Sequence, residues 1–264
     1  NMQRQKQIRV IQSGMQWKTK SQEVVEMVAG LECFDPTLMP HLIVLGLGIF
    51  ALTPAGDLIM LPALKSRYPI LETKFGRTIA GLLLIMFSGF TVSAHTLWMH
   101  NKAQEMGGGS FCSGGGVCDC ASVIGNADWN TAPVIGVPWG LLGMLAFALF
   151  MWLVISIAKE PSASWVLTNL KIGTNFAILG MGIVFYLMYA EYEIGKICQF
   201  CTTAHAAHVA TTVGLFKLAG MHSTDDWVKG KALVKDEGRH RQRRKKSGYV
   251  VPKAAQSDSG EEEE

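Results

Sequence analysis

The sequence predicts an all-α membrane protein, built as a four-helix transmembrane bundle with an additional N-terminal transmembrane or re-entrant helix. Of its 264 residues, 49% are hydrophobic and only 17% are charged, and the mean hydropathy of +0.23 is high for a soluble protein. The apolar residues also lie in runs near the length that a helix needs to cross a bilayer, about 20 residues. The charges lie in the connections between these runs and at the two ends of the chain.

Four of the apolar runs are clean enough to form the predicted bundle. They are, in chain order, 78–99, 138–158, 171–192 and 198–218. The remaining run comes first, at 38–64, and is interrupted by Pro54, Asp57 and Pro62. Because an ionised carboxylate at mid-membrane costs roughly 3 kcal/mol on insertion scales, we expect Asp57 to face protein or water. A kinked helix that crosses the membrane and a re-entrant helix both fit this run.

Polar segments flank the apolar part of the chain. Residues 1–37 contain no hydrophobic region of a signal peptide, and 22–31 can form an amphipathic helix on the membrane surface. The tail, 219–264, contains a basic run at 239–246 and ends in a row of glutamates. This composition predicts a charged, solvated and largely disordered cytoplasmic tail. Nucleic-acid binding is not expected, because basic flanks beside membrane spans ordinarily set the topology.

The basic residues predict the orientation in the membrane. The connection at 65–77, the side chains of Lys159 and Lys171 and the basic tail all fall on one side, which is therefore cytoplasmic. The cysteine-containing connections fall on the other side. The chain is thus predicted to be a multi-pass protein of the plasma membrane whose cysteines face the oxidising extracytoplasmic space. If 38–64 crosses the membrane, however, the basic N-terminus lies outside, against the rule.

Five of the six cysteines form two groups. Cys112, Cys118 and Cys120 lie in a glycine-rich connection after the first bundle segment, and Cys198 and Cys201 form a Cys-x-x-Cys pair where the last segment begins. An offset of three residues places both sulfurs on one helix face. The unpaired amides and the dipole of a helix N-terminus favour the reactive thiolate. Two such groups on one side of the membrane predict a thiol–disulfide relay.

This order of elements resembles the vitamin K epoxide reductase family of membrane quinone reductases and disulfide-bond formers, over residues 77–218. In that family a cysteine-bearing loop joins the first two of four helices, and a Cys-x-x-Cys pair opens the fourth. The resemblance implies a four-helix catalytic domain that oxidises thiols and passes the electrons to a quinone, ubiquinone or menaquinone. Many bacterial-type members carry a fused thioredoxin-like domain after the fourth helix. Because 219–264 is too short and too polar for one, a separate thioredoxin-fold partner is implied.

The resemblance also implies roles for the cysteines. Cys198 and Cys201 match the family's active pair, of which the second reacts with the quinone and the first exchanges with the loop. Cys112 matches the outer loop cysteine that meets the partner protein. The inner loop cysteine is either Cys120, which opens a Cys-x-x-Val pattern, or Cys118, whose spacing from Cys112 resembles that of bacterial members. We favour Cys120, and hence a Cys112–Cys120 disulfide in the oxidised loop.

The resemblance further points to residues around the quinone. The family usually has Ser or Thr six positions beyond the inner cysteine; here that position is Asn126, with Ser122 as a less favoured stand-in. His205 stands where some members have a tyrosine beside the quinone. Trp139, at the start of the second bundle segment, is an aromatic side chain that can line the same pocket. His208 follows on nearly the same helix face and can also hydrogen-bond the quinone or deliver a proton to it. Its alternative role is a contact between helices.

Other functions fit the cysteines less well. A zinc site is chemically possible, but a glycine-rich loop is unlike the rigid knuckles that hold structural zinc, so no metal is expected. The main prediction is an enzyme, a quinone-dependent thiol oxidase that reoxidises a thioredoxin-fold protein and so supports disulfide-bond formation. The alternative is an accessory or structural membrane subunit of a larger complex, whose disulfides are static.

Overall fold

The computed structural model describes residues 35–59, 68–105 and 117–248. The predictions made for the amphipathic segment 22–31 and for Cys112 concern positions outside this described part, and the side chain of Asp57 is not described either. The 38–64 run is described only up to Ile59.

Eight α-helices make up most of the described chain: α1 (Met39–Leu52), α2 (Pro54–Ile59), α3 (Lys74–Glu105), α4 (Cys120–Ile124), α5 (Trp139–Lys159), α6 (Val166–Ile194), α7 (Gln199–Met221) and α8 (Asp225–Gly248). The four predicted bundle segments are α3, α5, α6 and α7. Within these residues the β-type pairings are two isolated bridges. The predicted all-α membrane fold is therefore confirmed.

Three helices in the described part of the chain, α3, α5 and α6, are long and apolar enough to cross a membrane. Helix α7 has a similar length, but threonines, histidines and Lys217 reduce its hydropathy. The interrupted first run forms the shorter apolar helix α1, which ends at Leu52 with Thr53 as its C-cap, before Pro54 starts α2. Fourteen residues of helix extend about 21 Å, less than the roughly 30 Å of a hydrocarbon core.

Helix α3 lies at the centre of the bundle and packs closely against α5 through small residues. A Cβ added at Gly140 would lie 2.6 Å from the backbone nitrogen of Leu97, and one added at Gly143 would lie 2.7 Å from Oγ of Ser93. Such small residues let two membrane helices approach each other with good van der Waals contact. This close packing holds the start of α5 beside the end of α3, where the cysteines lie.

Helix α1 packs into the bundle alongside α3 and α7. The backbone N–H of Asp35, just before α1, donates to Oε1 of Gln199 at the start of α7 over 3.2 Å. At the other end of α1, the Lys217 ammonium donates to the carbonyl of Leu52. A Cβ added at Gly48 would lie 2.7 Å from the Ile85 side chain of α3. Helix α1 therefore runs in the same direction as α7 and starts at the cysteine end of the bundle.

The prediction of a largely disordered tail is wrong for the part that the structure describes, because α8 follows α7 after a short turn. Trp227 explains the difference. Its side chain is 4% exposed, its indole N–H donates to the carbonyl of Pro161 over 3.1 Å, and its ring contacts Phe75 edge-on at 4.7 Å. One buried aromatic residue thus anchors a helix whose later residues have the composition of a solvated chain.

Candidate redox site

The Cys-x-x-Cys pair lies at the N-terminus of α7, as predicted. Cys198 is the N-cap residue, and its sulfur accepts a hydrogen bond from the backbone N–H of Cys201 over 3.3 Å. Both residues are in the thiol form. Cys198 is completely buried, whereas Cys201 is half-buried. The backbone N–H of Cys198 also donates to the Glu191 carboxylate near the end of α6, over 3.2 Å.

The expectation that the helix N-terminus favours a thiolate is wrong for Cys198. Burial is the largest cause and raises the pKa of this thiol well above its ordinary value. Hydrogen bonds with Cys120 and Cys201 act in the same direction. The free-energy cost of removing a thiolate from water is larger here than the stabilisation that the helix dipole provides. Cys198 is consequently protonated at neutral pH.

Cys120 opens the short helix α4 and is 3% exposed. Its side chain is hydrogen-bonded to that of Cys198. The preceding Asp119 caps α4, because its carboxylate accepts the N–H of Ser122 over 3.0 Å and the hydroxyl of the same residue over 2.6 Å. Partial burial acts to raise the pKa of Asp119, but the Ser122 hydrogen bonds and the charge of Lys196 lower it overall. The ionised cap fixes the turn that directs Cys120 inward.

The chain around Cys118 is paired with the residue that precedes the Cys-x-x-Cys motif. The N–H of Ile197 donates to the carbonyl of Val117 over 2.9 Å, and the N–H of Asp119 donates to the carbonyl of Ile197 over 3.2 Å. These bonds form a parallel bridge between Cys118 and Ile197. The structure therefore brings Cys118 and Cys120 together with Cys198 at one end of the bundle.

The expected Cys112–Cys120 disulfide is absent from this structure, because Cys120 is in the thiol form. Cys118 is instead the disulfide-bonded cysteine of the described loop. The difference follows from backbone direction. Cys118 lies in the extended, bridged stretch and is half-buried, whereas Cys120 lies in the first turn of α4 and contacts Cys198.

A cavity of about 200 Å³ opens beside Cys201, among α3, α5, α6 and α7. Its walls are mostly apolar, and the predicted residues Trp139 and His205 both line it together with Cys201. The Trp139 ring is fixed by its N–H, which donates to the carbonyl of Trp129 over 3.0 Å. The side chain of His205 is only 9% exposed. An apolar cavity with a thiol and a few polar groups suits a flat, mainly apolar ligand.

Asn126 and Ser122 are not among the described residues that line this cavity. Oδ1 of Asn126 accepts the N–H of Asp128 over 2.9 Å and so stabilises a local turn. Ser122 takes part in the cap of α4. The next asparagine along the chain, Asn130, does line the cavity. The structure therefore brings together Cys201, His205 and Trp139, but leaves the two predicted hydrogen-bonding residues outside.

Sequence reasoning missed Glu191, Trp129 and Asn130, all of which line the cavity. For Glu191 there was a signal, because an acidic residue near the end of an otherwise apolar span is by itself a candidate functional residue. For Asn130 there was no such signal, because the resemblance points to the position six residues beyond Cys120. The turn after α4 places a different amide, that of Asn130, at the cavity.

His208 lines the inner part of the cavity but has a packing role. Its Nε2 is 2.9 Å from the carbonyl of Ala177 in α6, and its ring fills the space beside Gly180, where an added Cβ would lie 2.5 Å from the imidazole. The rings of Phe147 and Phe150 lie on its other sides. These contacts support the alternative role as a contact between helices.

The sequence model of the vitamin K epoxide reductase family matches residues 80–215, about half of the chain. The match starts within α3 and ends within α7, so it includes the loop cysteines, the Cys-x-x-Cys pair and the cavity. Helices α1 and α8 lie outside it. Comparison with individual curated proteins found no match.

Proposed function

The chain belongs to the vitamin K epoxide reductase family, whose members carry out quinone-linked thiol–disulfide chemistry in membranes, and on that basis we propose that it is a quinone-dependent thiol oxidase. In this proposal it reoxidises a separate thioredoxin-fold protein and so supports disulfide-bond formation. The observation that carries the proposal is the contact between the buried thiols of Cys120 and Cys198. With Cys201 at the cavity, three sulfurs then lead from the loop to the place where an acceptor binds.

Thiol exchange through these sulfurs proceeds by thiolate attack and mixed disulfides. In the oxidised form of the loop, Cys120 is disulfide-bonded to the second loop cysteine; the partner dithiol reduces this disulfide and is itself oxidised to a disulfide. The Cys120 thiolate then attacks Cys198 in the oxidised Cys198–Cys201 pair, and Cys201 leaves as a thiolate. A second loop thiolate attacks Cys120, which releases Cys198 and restores the loop disulfide. The reduced pair now holds the two electrons that came from the partner.

A quinone accepts two electrons and two protons and leaves as the quinol, and the cavity fits such a group. Its walls are mainly apolar, the Cys201 thiol lies on one side, and the amide of Asn130 and the imidazole of His205 supply polar contacts. We propose that Asn130, rather than Asn126 or Ser122, hydrogen-bonds a quinone oxygen. Trp139 and Trp129 close the end of the cavity near the loop, where they exclude water from Cys201.

We assign the inner loop cysteine to Cys120 and not to Cys118. Cys120 is the one whose thiol contacts Cys198, and its burial keeps small external thiols away from the exchange. Cys118 is half-buried and disulfide-bonded outside this contact. Cys112, as the outer cysteine that meets the partner, follows from the family resemblance and lies outside the described residues.

The distribution of charge supports the proposed orientation, with cysteines outside and tail in the cytoplasm. Lys74, Lys159 and Lys171 all belong to helix ends remote from Cys198, and Lys217 lies near the same end of α7. An excess of basic residues marks the cytoplasmic side of multi-pass proteins. The plasma membrane is the corresponding location for a chain that serves an oxidising exterior.

Quinone reduction by the purified protein tests the proposal. With a dithiol donor and a short-chain ubiquinone or menaquinone, the wild-type chain should convert quinone to quinol, and Cys201→Ala should reduce the rate to background. Ser156→Ala, near the far end of α5, is the matched control and should retain the wild-type rate. A static subunit of a larger complex would show no turnover with either quinone.

A further inference from the structure

Helix α1, which lies outside the family match, begins beside the redox cysteines. Leu38, the residue just before α1, is 3% exposed and belongs to the same buried cluster as Cys120, Cys198 and Phe200. The match to the family begins at residue 80. The cluster that buries the cysteines is therefore completed by a side chain from outside the matched domain.

The chain around Leu38 forms a rigid turn, Pro36–Leu38, which we call the entry turn. Asp35 caps it, because Oδ1 of this residue accepts the N–H of Thr37 over 2.9 Å and the hydroxyl of Thr37 over 2.7 Å. Both the entry turn and α1 have a proline in their first positions, where the fixed φ of proline suits the start of a helix. The local sequence thus fixes the backbone that directs Leu38 into the cluster.

Polar contacts attach the chain on both sides of the entry turn to the bundle. Before it, the N–H of Asp35 donates to Oε1 of Gln199, the residue that follows the first cysteine of the Cys-x-x-Cys pair, over 3.2 Å. After it, the hydroxyl of Ser88 in α3 donates to the carbonyl of His41 over 2.7 Å. Nε2 of His41 also lies 3.4 Å from Nδ1 of His95 in α3. The entry turn is therefore held against α7 and α3 together.

The position of the entry turn matters because Cys198 is completely buried, whereas Cys201 is half-buried and lines the cavity. A thiolate exchanges with a disulfide only if it can reach the sulfur that it attacks. Cys120 meets this condition from within the fold, because its side chain is hydrogen-bonded to that of Cys198. An external thiol must first open the buried cluster, and the free energy of such a local opening depends on the side chains that close it.

We propose that Leu38 is a specificity-determining residue that keeps small external thiols away from Cys198, so that the Cys-x-x-Cys pair exchanges with Cys120 alone. In its absence, a small thiolate attacks Cys198 in the oxidised pair, forms a mixed disulfide with it and releases Cys201 as a thiolate. A second small thiol then attacks the mixed disulfide, releases Cys198 and leaves as a small-molecule disulfide. This inference rests on the proposed function, since it specifies which thiols supply the electrons.

The first test is the accessibility of Cys198, measured on the reduced full-length protein in detergent at one fixed pH. Iodoacetamide is added, and mass spectrometry with fragmentation assigns each adduct to Cys198 or to Cys201. Leu38→Ala should raise the alkylation rate of Cys198 about tenfold, which corresponds to a decrease of about 1.4 kcal/mol in the free energy of local opening. The rate of Cys201 should stay unchanged, because this thiol is reached through the cavity.

Leu45→Ala is the matched control. Leu45 lies on the same helix and is buried to a similar extent, at 5% exposed, but it belongs to the core cluster that does not include the cysteines. Leu45→Ala should lower the temperature of unfolding as Leu38→Ala does and leave the alkylation rate of Cys198 at the wild-type value. Gln199→Met removes the acceptor of the Asp35 N–H and should raise the rate by less than Leu38→Ala.

An equal alkylation rate of Cys198 in Leu38→Ala and Leu45→Ala would overturn the inference, because access would then follow overall stability. If Leu38→Ala does not fold, Leu38→Val carries the same test with a smaller expected increase. The readout needs neither a quinone nor a partner protein.

The second test is a gain of activity. Cys120→Ser removes the exchange with the loop, so 2-mercaptoethanol should drive no quinone reduction in this variant. In the double variant Leu38→Ala/Cys120→Ser the same thiol should restore turnover, and Leu45→Ala/Cys120→Ser should remain inactive. Faster alkylation of Cys198 without quinone turnover in any variant, the wild type included, would sink the proposed function alone. Wild-type turnover combined with an unchanged alkylation rate in Leu38→Ala would sink this inference alone.

Discussion

The thiol of Cys120 is hydrogen-bonded to the thiol of Cys198, although the two residues lie in different helices and far apart in sequence. The contact joins the first turn of α4 to the N-cap of α7. Both side chains are buried, so their approach is set by the fold and does not depend on an encounter in solvent. Exchange between the loop and the Cys-x-x-Cys pair therefore requires only that disulfide bonds form and break between sulfurs that are already in contact.

This contact predicts which disulfide forms when the exchange cannot be completed. In Cys201→Ala, mild oxidation with diamide should join Cys120 to Cys198, because two thiols in contact lose two electrons and two protons to the oxidant. Mass spectrometry of non-reduced peptides should detect the cross-link, and Cys118→Ala in the same background should retain it. A cross-link from Cys118 to Cys198 would instead make Cys118 the inner cysteine.

The burial of Cys198 predicts the pH dependence of its reactivity. Its pKa is raised above the ordinary value of 9.0, so the thiolate is scarce at neutral pH and its fraction still grows above pH 9. In the reduced protein, the alkylation rate of Cys198 should keep rising at pH values where that of N-acetylcysteine has levelled off. A Cys198 profile at or below that of the free thiol would contradict the prediction.

The same shift has a consequence for stability, and its sign follows from linkage. Below pH 9.0 the folded and the unfolded chain both keep the proton of Cys198, so the contribution of the buried thiol is fully present. Above that value the unfolded chain releases the proton first, and the folded state loses stability. Thermal unfolding of reduced protein should show a steeper decline above pH 9 in the wild type than in Cys198→Ala.

Two glycines of α6 provide a matched test of the packing around the cavity. A Cβ at Gly180 would lie 2.5 Å from the His208 imidazole, whereas Gly182 has no atom within 4 Å of an added Cβ. Gly180→Ala should therefore lower the free energy of unfolding by about 1–3 kcal/mol and reduce quinone binding. Gly182→Ala should be neutral or slightly stabilising, because alanine favours a helix. Thermal unfolding in detergent and quinone titration distinguish the two, and equal effects would contradict the packing role of His208.

The sequence predicted those parts of the structure that depend on local pattern. Apolar runs of suitable length became α3, α5 and α6, and the Cys-x-x-Cys pair lies at a helix N-terminus because a polar stretch changes to a helical one at that position. The structure places Trp139 and His205 on one cavity, since both lie near helix starts on the cysteine side.

The sequence did not predict features that depend on long-range contacts. Nothing local to Asp35 or His41 indicates that they meet Gln199 and His95, so the position of α1 had to come from the structure. The prediction that the helix N-terminus favours a Cys198 thiolate was wrong, because burial by distant helices outweighs the effect of the local helix dipole. Asn126 lies outside the cavity for a similar reason, since the turn that follows α4 decides which amide reaches the cavity.

The tail illustrates how one side chain can override composition, and it yields the last prediction. Trp227 is 4% exposed, contacts Phe75 and donates to the carbonyl of Pro161. Lys74 adds an ion pair with Asp226 over 3.1 Å, but an exposed pair of this kind contributes little. Trp227→Ala should therefore cost about 3 kcal/mol of stability and release α8 to proteolysis.

The neighbouring Val228 is 57% exposed, so Val228→Ala should change stability by less than about 0.5 kcal/mol. Limited proteolysis of both variants measures the release directly. Equal cleavage of α8 in the two variants would show that the basic tail is held by its charges and not by this aromatic contact.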